Sequence, residues 1–362
     1  MDGLAAAFAD AAEAVDGKWP RAFARADRVR AGFRTLLHEP GADIALGASA
    51  HDLLVRFLSA LDLRRRPRLV TTDGEFHSLR RQFDRLAEEG VQVVRVPARP
   101  VDGLAERLAA AVDDRTAAVC VSAVLFETAE IVPALGELAG PCARHGAELL
   151  VDAYHALGPV PFPVPALGLR DAWVLGGGYK YLQLGEGNCF LRLPGHAAAA
   201  RPVVTGWFAE FTELPGARSG PGAHAVGYAP GADRFAGSTY DPVSHYRASA
   251  VLDFFDAQGL TPAFLREVYR HQLGRLAAAV DALDLPAAAV RREPVPLDRL
   301  GGFLALRSPQ AALLCAGLAE RGVLADSRGP YLRLGPAPYL SDAQLDAAAA
   351  ALGEAAAALP RR

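Results

Sequence analysis

Cysteine is scarce in this chain, and no long stretch of it has a single character. Its 362 residues include four cysteines, Cys120, Cys142, Cys189 and Cys315. They lie too far apart for a CxxC pair or a metal-type cluster, so four thiols in a reducing compartment are expected, with no disulfide framework and no metal. Uninterrupted apolar runs of the roughly 18 residues a membrane span needs are missing, which excludes a transmembrane helix. Charge of one sign is missing too: 38 Lys and Arg face 41 Asp and Glu, a net charge of -3, with no long basic run. That balance argues against a nucleic-acid binder. The start, Met1-Asp2-Gly3-Leu4, lacks the basic segment and apolar core of a secretory leader, so a cytoplasmic location is expected. Gly41 to Gly47 does not supply the GxGxxG of a dinucleotide fold, and no Gly-Lys-Ser/Thr of a Walker loop follows the later glycines. What is present is 51% hydrophobic and 22% charged, hence a folded chain long enough for about two domains.

Residues 1 to 38 read as helical, with Leu4, Phe8, Ala11 and Val15 on one apolar stripe. From Asp43 short apolar strands alternate with helices. Strands are expected at Arg68–Thr72, Val91–Val96, Thr116–Val124, Glu148–Val151, Asp171–Leu175 and Asn188–Leu193, with helices at Leu79–Glu89 and Ala134–His145. This alternation implies an α/β fold with a mostly parallel central sheet. Phe208 to Ala232 breaks the rhythm with Gly216, Gly220, Gly222, Gly227 and Gly231, and reads as a functional loop. A long helix over Asp241–Gln258 leads to a smaller α+β domain with strands at Gly302–Leu306 and Tyr331–Leu334. Ser341 and Gln344 form a capping box ahead of the last helix. The expected units are an N-terminal helical segment, 1–42, packing on the small domain, a large domain, 43–245, and a small C-terminal domain, 246–362.

Ligands of open α/β sheets bind at the carboxyl ends of the strands. Three segments fall there. Asp152 and His155 directly follow a buried strand; a turn carboxylate beside a helix start would look the same. Lys180 follows Gly176-Gly177-Gly178-Tyr179, where glycines and apolar neighbours would desolvate the amine and lower its pKa. Ser49 and Ala50, at the start of a helix, suit a phosphate, or else serve only as a cap. A phosphate cradle, a strand-end carboxylate and a strand-end lysine together match the needs of pyridoxal 5'-phosphate: an amine for the aldehyde and a carboxylate for the pyridine nitrogen.

At these residues the sequence resembles the class V aminotransferase superfamily of fold type I, and within it is most similar to kynureninase. The resemblance runs from about residue 43 to 345. It is carried by Asp152-x-x-His155, Tyr179-Lys180-Tyr181-Leu182, Gly206-Trp207-Phe208 and Tyr331-Leu332-Arg333-Leu334-Gly335-Pro336. It implies that Arg333 binds the substrate carboxylate, a role its planar fork suits. It also implies that Phe76 lies over the cofactor ring, that His155 sits near the cofactor's phenolic oxygen, that Tyr179 reaches its phosphate, and that Trp207 lies near the phosphate or the substrate. Ser238 and Thr239 would reach the phosphate in a partner subunit, which makes a homodimer with shared sites the expected assembly. Each aromatic has a plainer alternative as packing, and the Ser238-Thr239 pair as a helix cap. Leu79 and Leu125 stand where the family carries polar residues, and its N-terminal Ser-Leu-Gly motif has no counterpart. The implied reaction is hydrolytic Cβ–Cγ cleavage of an amino acid with release of alanine, with another β-lyase, an aminotransferase or an epimerase as alternatives. All four cysteines read as structural, which disfavours a desulfurase.

Overall fold

Strand-forming runs alternate with helices through the first half of the chain, and the computed structural model, which describes residues 1–211 and 226–359, gathers them into one large sheet. After helices α1 (Asp2–Ala14) and α2 (Trp19–Leu36) come β1 (Asp43–Gly47), α3 (Ala50–Ser59), β2 (Arg68–Thr72), α4 (His77–Glu88) and β3 (Gln92–Val96). Next are α5 (Leu104–Ala110), β4 (Thr116–Ser122), α6 (Ala139–His145), β5 (Glu148–Asp152), β6 (Trp173–Gly177) and β7 (Cys189–Leu193). The seven strands lie in the order β1-β7-β6-β5-β4-β2-β3. Pairing from β3 to β6 is parallel, whereas β7 runs antiparallel to both β6 and β1. The parallel strands therefore end on one edge, and the β6–β7 connection, which carries Lys180, turns at that same edge.

Period-two alternation sorts β4 between two cores. Val119 and Val121 face one cluster with Leu149 and Val151, while Ala118 and Cys120 face the other with Leu150 and Trp173. Both faces are covered, as a parallel sheet requires. The triple glycine at 176–178 is explained by packing: a Cβ on Gly177 would come within 2.6 Å of the Cys189 sulfur, and one on Gly178 within 2.4 Å of Leu184.

The second half comprises α7 (Val243–Gln258), α8 (Pro262–Ala282), β8 (Arg291–Arg292), β9 (Leu304–Arg307) and α9 (Ala311–Glu320). It closes with β10 (Asp326–Arg328), β11 (Tyr331–Leu334) and α10 (Asp342–Ala357). The last four strands form an antiparallel sheet, β10-β11-β9-β8, packed on α8, α9 and α10. Thr261 caps α8 ahead of Pro262, and the expected capping box of Ser341 with Gln344 opens α10. The expected division at residue 245/246 falls inside α7.

The N-terminal helices meet both expected units. Val29 and Phe33 of α2 lie in the core of the large sheet, the Phe33 and Phe190 rings 4.4 Å apart, and in the same cluster are Ala248 and Leu252 of α7, inside the 246–362 unit. Arg192 of β7 secures the end of α2: its guanidinium is 4% exposed, grips both oxygens of Glu39, and donates to the carbonyls of Arg170 and Ala172. Helix α1 packs through its small residues. Ala7 is buried and a Cβ on Gly3 would meet the Tyr246 carbonyl at 2.5 Å, whereas Leu4, Phe8 and Val15 of the apolar stripe stay exposed. A helical period reveals a stripe but not which neighbour covers it. Of the 208–232 loop, residues 212–225 with Gly216, Gly220 and Gly222 lie outside the described residues. Among the rest, short helical turns span Trp207–Glu210 and Gly231–Phe235. No described helix is long and apolar enough to cross a membrane.

Candidate active site

The carboxyl ends of β2, β4, β5 and β6 bring Phe76, Asp152, His155 and Lys180 to one place. Lys180 follows β6 in the turn that Gly178 and Leu184 close by a backbone hydrogen bond of 2.9 Å. Its Nζ lies 5.2 Å from the centre of the Phe76 ring and 5.0 Å from that of Tyr154, and donates to His155 Nε2 at 2.5 Å. Burial lowers the Lys180 pKa to about 8. Asp152 opposes that shift, and Arg333 and Arg328 add to it. The amine thus gives up its proton far more readily than an ordinary lysine, as a group that must offer a lone pair should.

His155 is 8% exposed, and its pKa falls well below the ordinary value through burial, then through Lys180, Arg333 and Arg328. A neutral imidazole accepting at Nε2 carries its proton on Nδ1, which places that N–H toward the Tyr181 hydroxyl at 3.3 Å. Asp152 closes β5, and its Oδ1 accepts the Tyr154 N–H at 2.8 Å. Burial raises the Asp152 pKa, and both that hydrogen bond and Lys180 hold it back.

Arg333, on β11, stands over the Phe303 ring at 5.1 Å, and that ring lies 5.9 Å from His155. Its guanidinium donates to Asp326 on β10 and to the Phe126 carbonyl beyond β4, while its buried Nε has no hydrogen-bond partner among the described residues. Arg328 donates to the other oxygen of Asp326. Phe126 packs edge-on to Phe76 and His77, so an aromatic wall links the lysine to the arginine.

The remaining expected residues lie at or near the rim. Ser49 caps α3, its Oγ accepting the Asp52 N–H at 3.1 Å. The Ala50 N–H faces the Cys189 thiol, whose sulfur is 3.9 Å from the Tyr154 hydroxyl, so this helix start adjoins the lysine pocket through two side chains. Tyr179 is 52% exposed. Trp207 packs on Phe208 and donates to Thr239 at 3.3 Å. Ser238 and Thr239 line a second cavity of about 770 Å³ with Ala48, Asp52 and Arg56.

Sequence reasoning missed four contributors: Glu75, Tyr154, Asp326 and Arg328. Tyr154 lay inside a motif already singled out, and its position between Asp152 and His155 was the available signal. Asp326 and Arg328 became relevant only once β10 paired with β11. Among the described residues no group of three or more His, Cys, Asp or Glu side chains is placed to hold a metal.

Residues 274–352, which include Arg333, match the model of the kynureninase C-terminal domain. An uncharacterized aminotransferase of Bacillus subtilis (strain 168), YcbU, is 26% identical over 328 residues, covering 89% of this chain and 81% of that protein. The cystine C-S lyase C-DES, solved with its reaction product cysteine persulfide, superposes with a TM-score of 0.80 at 17% identity, covering 98% of this chain and 93% of that one. An apo cysteine desulfurase from Thermococcus onnurineus NA1 superposes at 0.78 with 15% identity, covering 99% and 92%. The architecture is therefore that of the pyridoxal-phosphate-dependent fold type I, as the resemblance implied, with the mostly parallel sheet that the alternation of strands and helices implied. The sequence matches support the resemblance to the class V aminotransferase superfamily. Pyridoxal 5'-phosphate is the cofactor expected of such a protein, and the donor set fits it: a desolvated amine, a strand-end carboxylate, and the flat Phe76 ring beside the amine.

Proposed function

We propose that the protein is a pyridoxal-phosphate-dependent enzyme that cleaves an amino acid hydrolytically between Cβ and Cγ and releases alanine, in the manner of kynureninase. The observation that carries this reading is the Lys180 amine, its pKa lowered to about 8, in an aromatic pocket whose far end is closed by Arg333. Bound here, the cofactor would supply an electron-withdrawing ring that stabilises negative charge at Cα of the substrate.

The chain's own residues do the rest. Arg333 offers its fork to the α-carboxylate, and its unpaired Nε is a donor still to be satisfied. Lys180 would anchor the aldehyde, and its amine, once free, is placed to take a proton from the substrate Cα and to return one. Asp152 would hold a proton on the pyridine nitrogen, Phe76 would pack on the ring, and neutral His155, which accepts from the Lys180 amine, would lie on the side of the phenolic oxygen. Ser49, Ala50, Tyr179 and Trp207 take the phosphate side, with Ser238 and Thr239 serving the site of a second copy in a homodimer. The net reaction would add water across the Cβ–Cγ bond, its hydroxyl going to the γ-carbonyl carbon to give the acid and its proton to Cβ to give alanine. The wall of Phe76, His77 and Phe126 suits an aryl side chain.

The cysteines favour this over desulfuration, which needs a mobile thiol. Cys120, Cys142 and Cys189 are buried, and Cys315 points its sulfur at the Ala325 carbonyl from within α9. The test is incubation of the cofactor-loaded protein with kynurenine, 3-hydroxykynurenine and a panel of amino acids, read by mass spectrometry. Alanine with an aromatic acid is expected from the first two. A keto acid, sulfide or a racemised amino acid in their place would move the protein to another reaction of the superfamily. Lys180→Ala is expected to abolish both the visible cofactor band and turnover.

A further inference from the structure

One buried acid has no part in the scheme above. Glu75, between β2 and Phe76, is 3% exposed. Thr72 Oγ1 donates to its Oε1 at 2.7 Å, Ser122 Oγ to its Oε2 at 2.6 Å, and the Ser122 N–H to Oε1 at 3.3 Å. Thr72 ends β2 and Ser122 ends β4, so the carboxyl is built into the same sheet edge as the lysine pocket. Ser122 is also the register partner of Asp152 across the β4–β5 pair, which sets the two carboxyls on either side of one residue. Among the described residues the charged group that Glu75 feels is Asp152. The other titratable neighbour is the Cys120 thiol beneath it, itself pushed up by burial and by Glu75, and Lys180 lies beyond Asp152.

We propose that Glu75 is a positioning residue that sets the negative charge behind Asp152, and through it how firmly the cofactor's ring nitrogen holds its proton. The inference rests on the pyridoxal-phosphate reading of the site. Two carboxyls this close in dry surroundings do not ionise independently. Burial and the Asp152 charge push the Glu75 pKa up to about 7, against the pull of its hydrogen bonds. Below that pH Glu75 is neutral and Asp152 alone faces the ring nitrogen. Above it a second negative charge stands behind the first, and the ring proton is held more tightly. The strand-end hydroxyls of Thr72 and Ser122 keep the carboxyl in place in both states.

The test is a pH titration of the visible absorption band of the full-length protein loaded with pyridoxal 5'-phosphate. Wild type is expected to show an inflection near pH 7 in addition to any change at higher pH. Glu75→Gln keeps the shape and removes the charge, so the band should form while that inflection disappears. Ser122→Ala deletes a donor that favours the ionised carboxylate, and should move the inflection upward by about one pH unit. This second variant also serves where Glu75→Gln fails to fold. Titrations superimposable on wild type in either folded variant would overturn the role of Glu75 and leave the cofactor reading intact. Absence of any band in wild type would overturn the cofactor reading and this inference with it.

Discussion

The lowered pKa of Lys180 has a consequence that needs no cofactor to measure. A pKa of about 8 leaves about one amine in ten unprotonated at pH 7, against about three in ten thousand at the ordinary 10.5, an advantage of roughly 300-fold. The chain contains two lysines, Lys18 and Lys180, so the second is a built-in reference. Trace acetylation of the cofactor-free protein across pH, quantified by peptide mass spectrometry, should show Lys180 reactivity rising tenfold per unit and flattening near pH 8. The causes of the shift dictate its sign in variants. Asp152 works against desolvation, so Asp152→Asn should move the midpoint to lower pH. Arg333 works with desolvation, so Arg333→Met should move it higher. A Lys180 reactivity that climbs without a break past about pH 9.5, or moves the same way in both variants, would refute the electrostatic account of the pocket.

Three further outcomes follow from the geometry. Arg333→Lys replaces a fork with a point charge, and loss of one charge-assisted hydrogen bond of about 1.5–3 kcal/mol should raise KM roughly 10- to 100-fold with kcat little changed; an unaltered KM would remove Arg333 from substrate binding. Glu39→Ala strands the buried Arg192 guanidinium and should cost about 3–5 kcal/mol in urea unfolding, whereas a loss below about 1 kcal/mol would mean that Arg192 finds water. Light scattering of the cofactor-loaded protein is expected to give the mass of two chains; a monomer with full occupancy would rule out a shared site.

The strand-end logic was legible because it is local. A buried run followed by Asp152 and His155, and another followed by glycines and Lys180, need only the rule that parallel strands end together. The C-terminal segment around Arg333 was legible by likeness to kynureninase, and the capping box by its spacing. Glu75 was not, since its neighbours in sequence, Gly74 and Phe76, give no sign that Ser122 and Asp152 will close over it. Asp326 lies seven positions before Arg333 and pairs with it only because β10 folds back on β11. The outward face of α1 was misjudged for a related reason. Periodicity reports which residues share a side, while Gly3 and Ala7, too small to stand out as a stripe, make the closest approach to α7.

The grip of Arg333 on both Asp326 and the Phe126 carbonyl makes it a tether as well as a receptor. One end of that tether is in the small antiparallel sheet, the other beyond β4 of the large one. An arriving carboxylate would compete with these partners for the same guanidinium. On the proposed role of Arg333, substrate recognition would be a competition: each arrival would slacken a strap between the two halves, and each departure would draw it tight again. Affinity at this site is a difference between two grips, so a variant that weakens the internal one would bind substrate more tightly while holding its halves together less well.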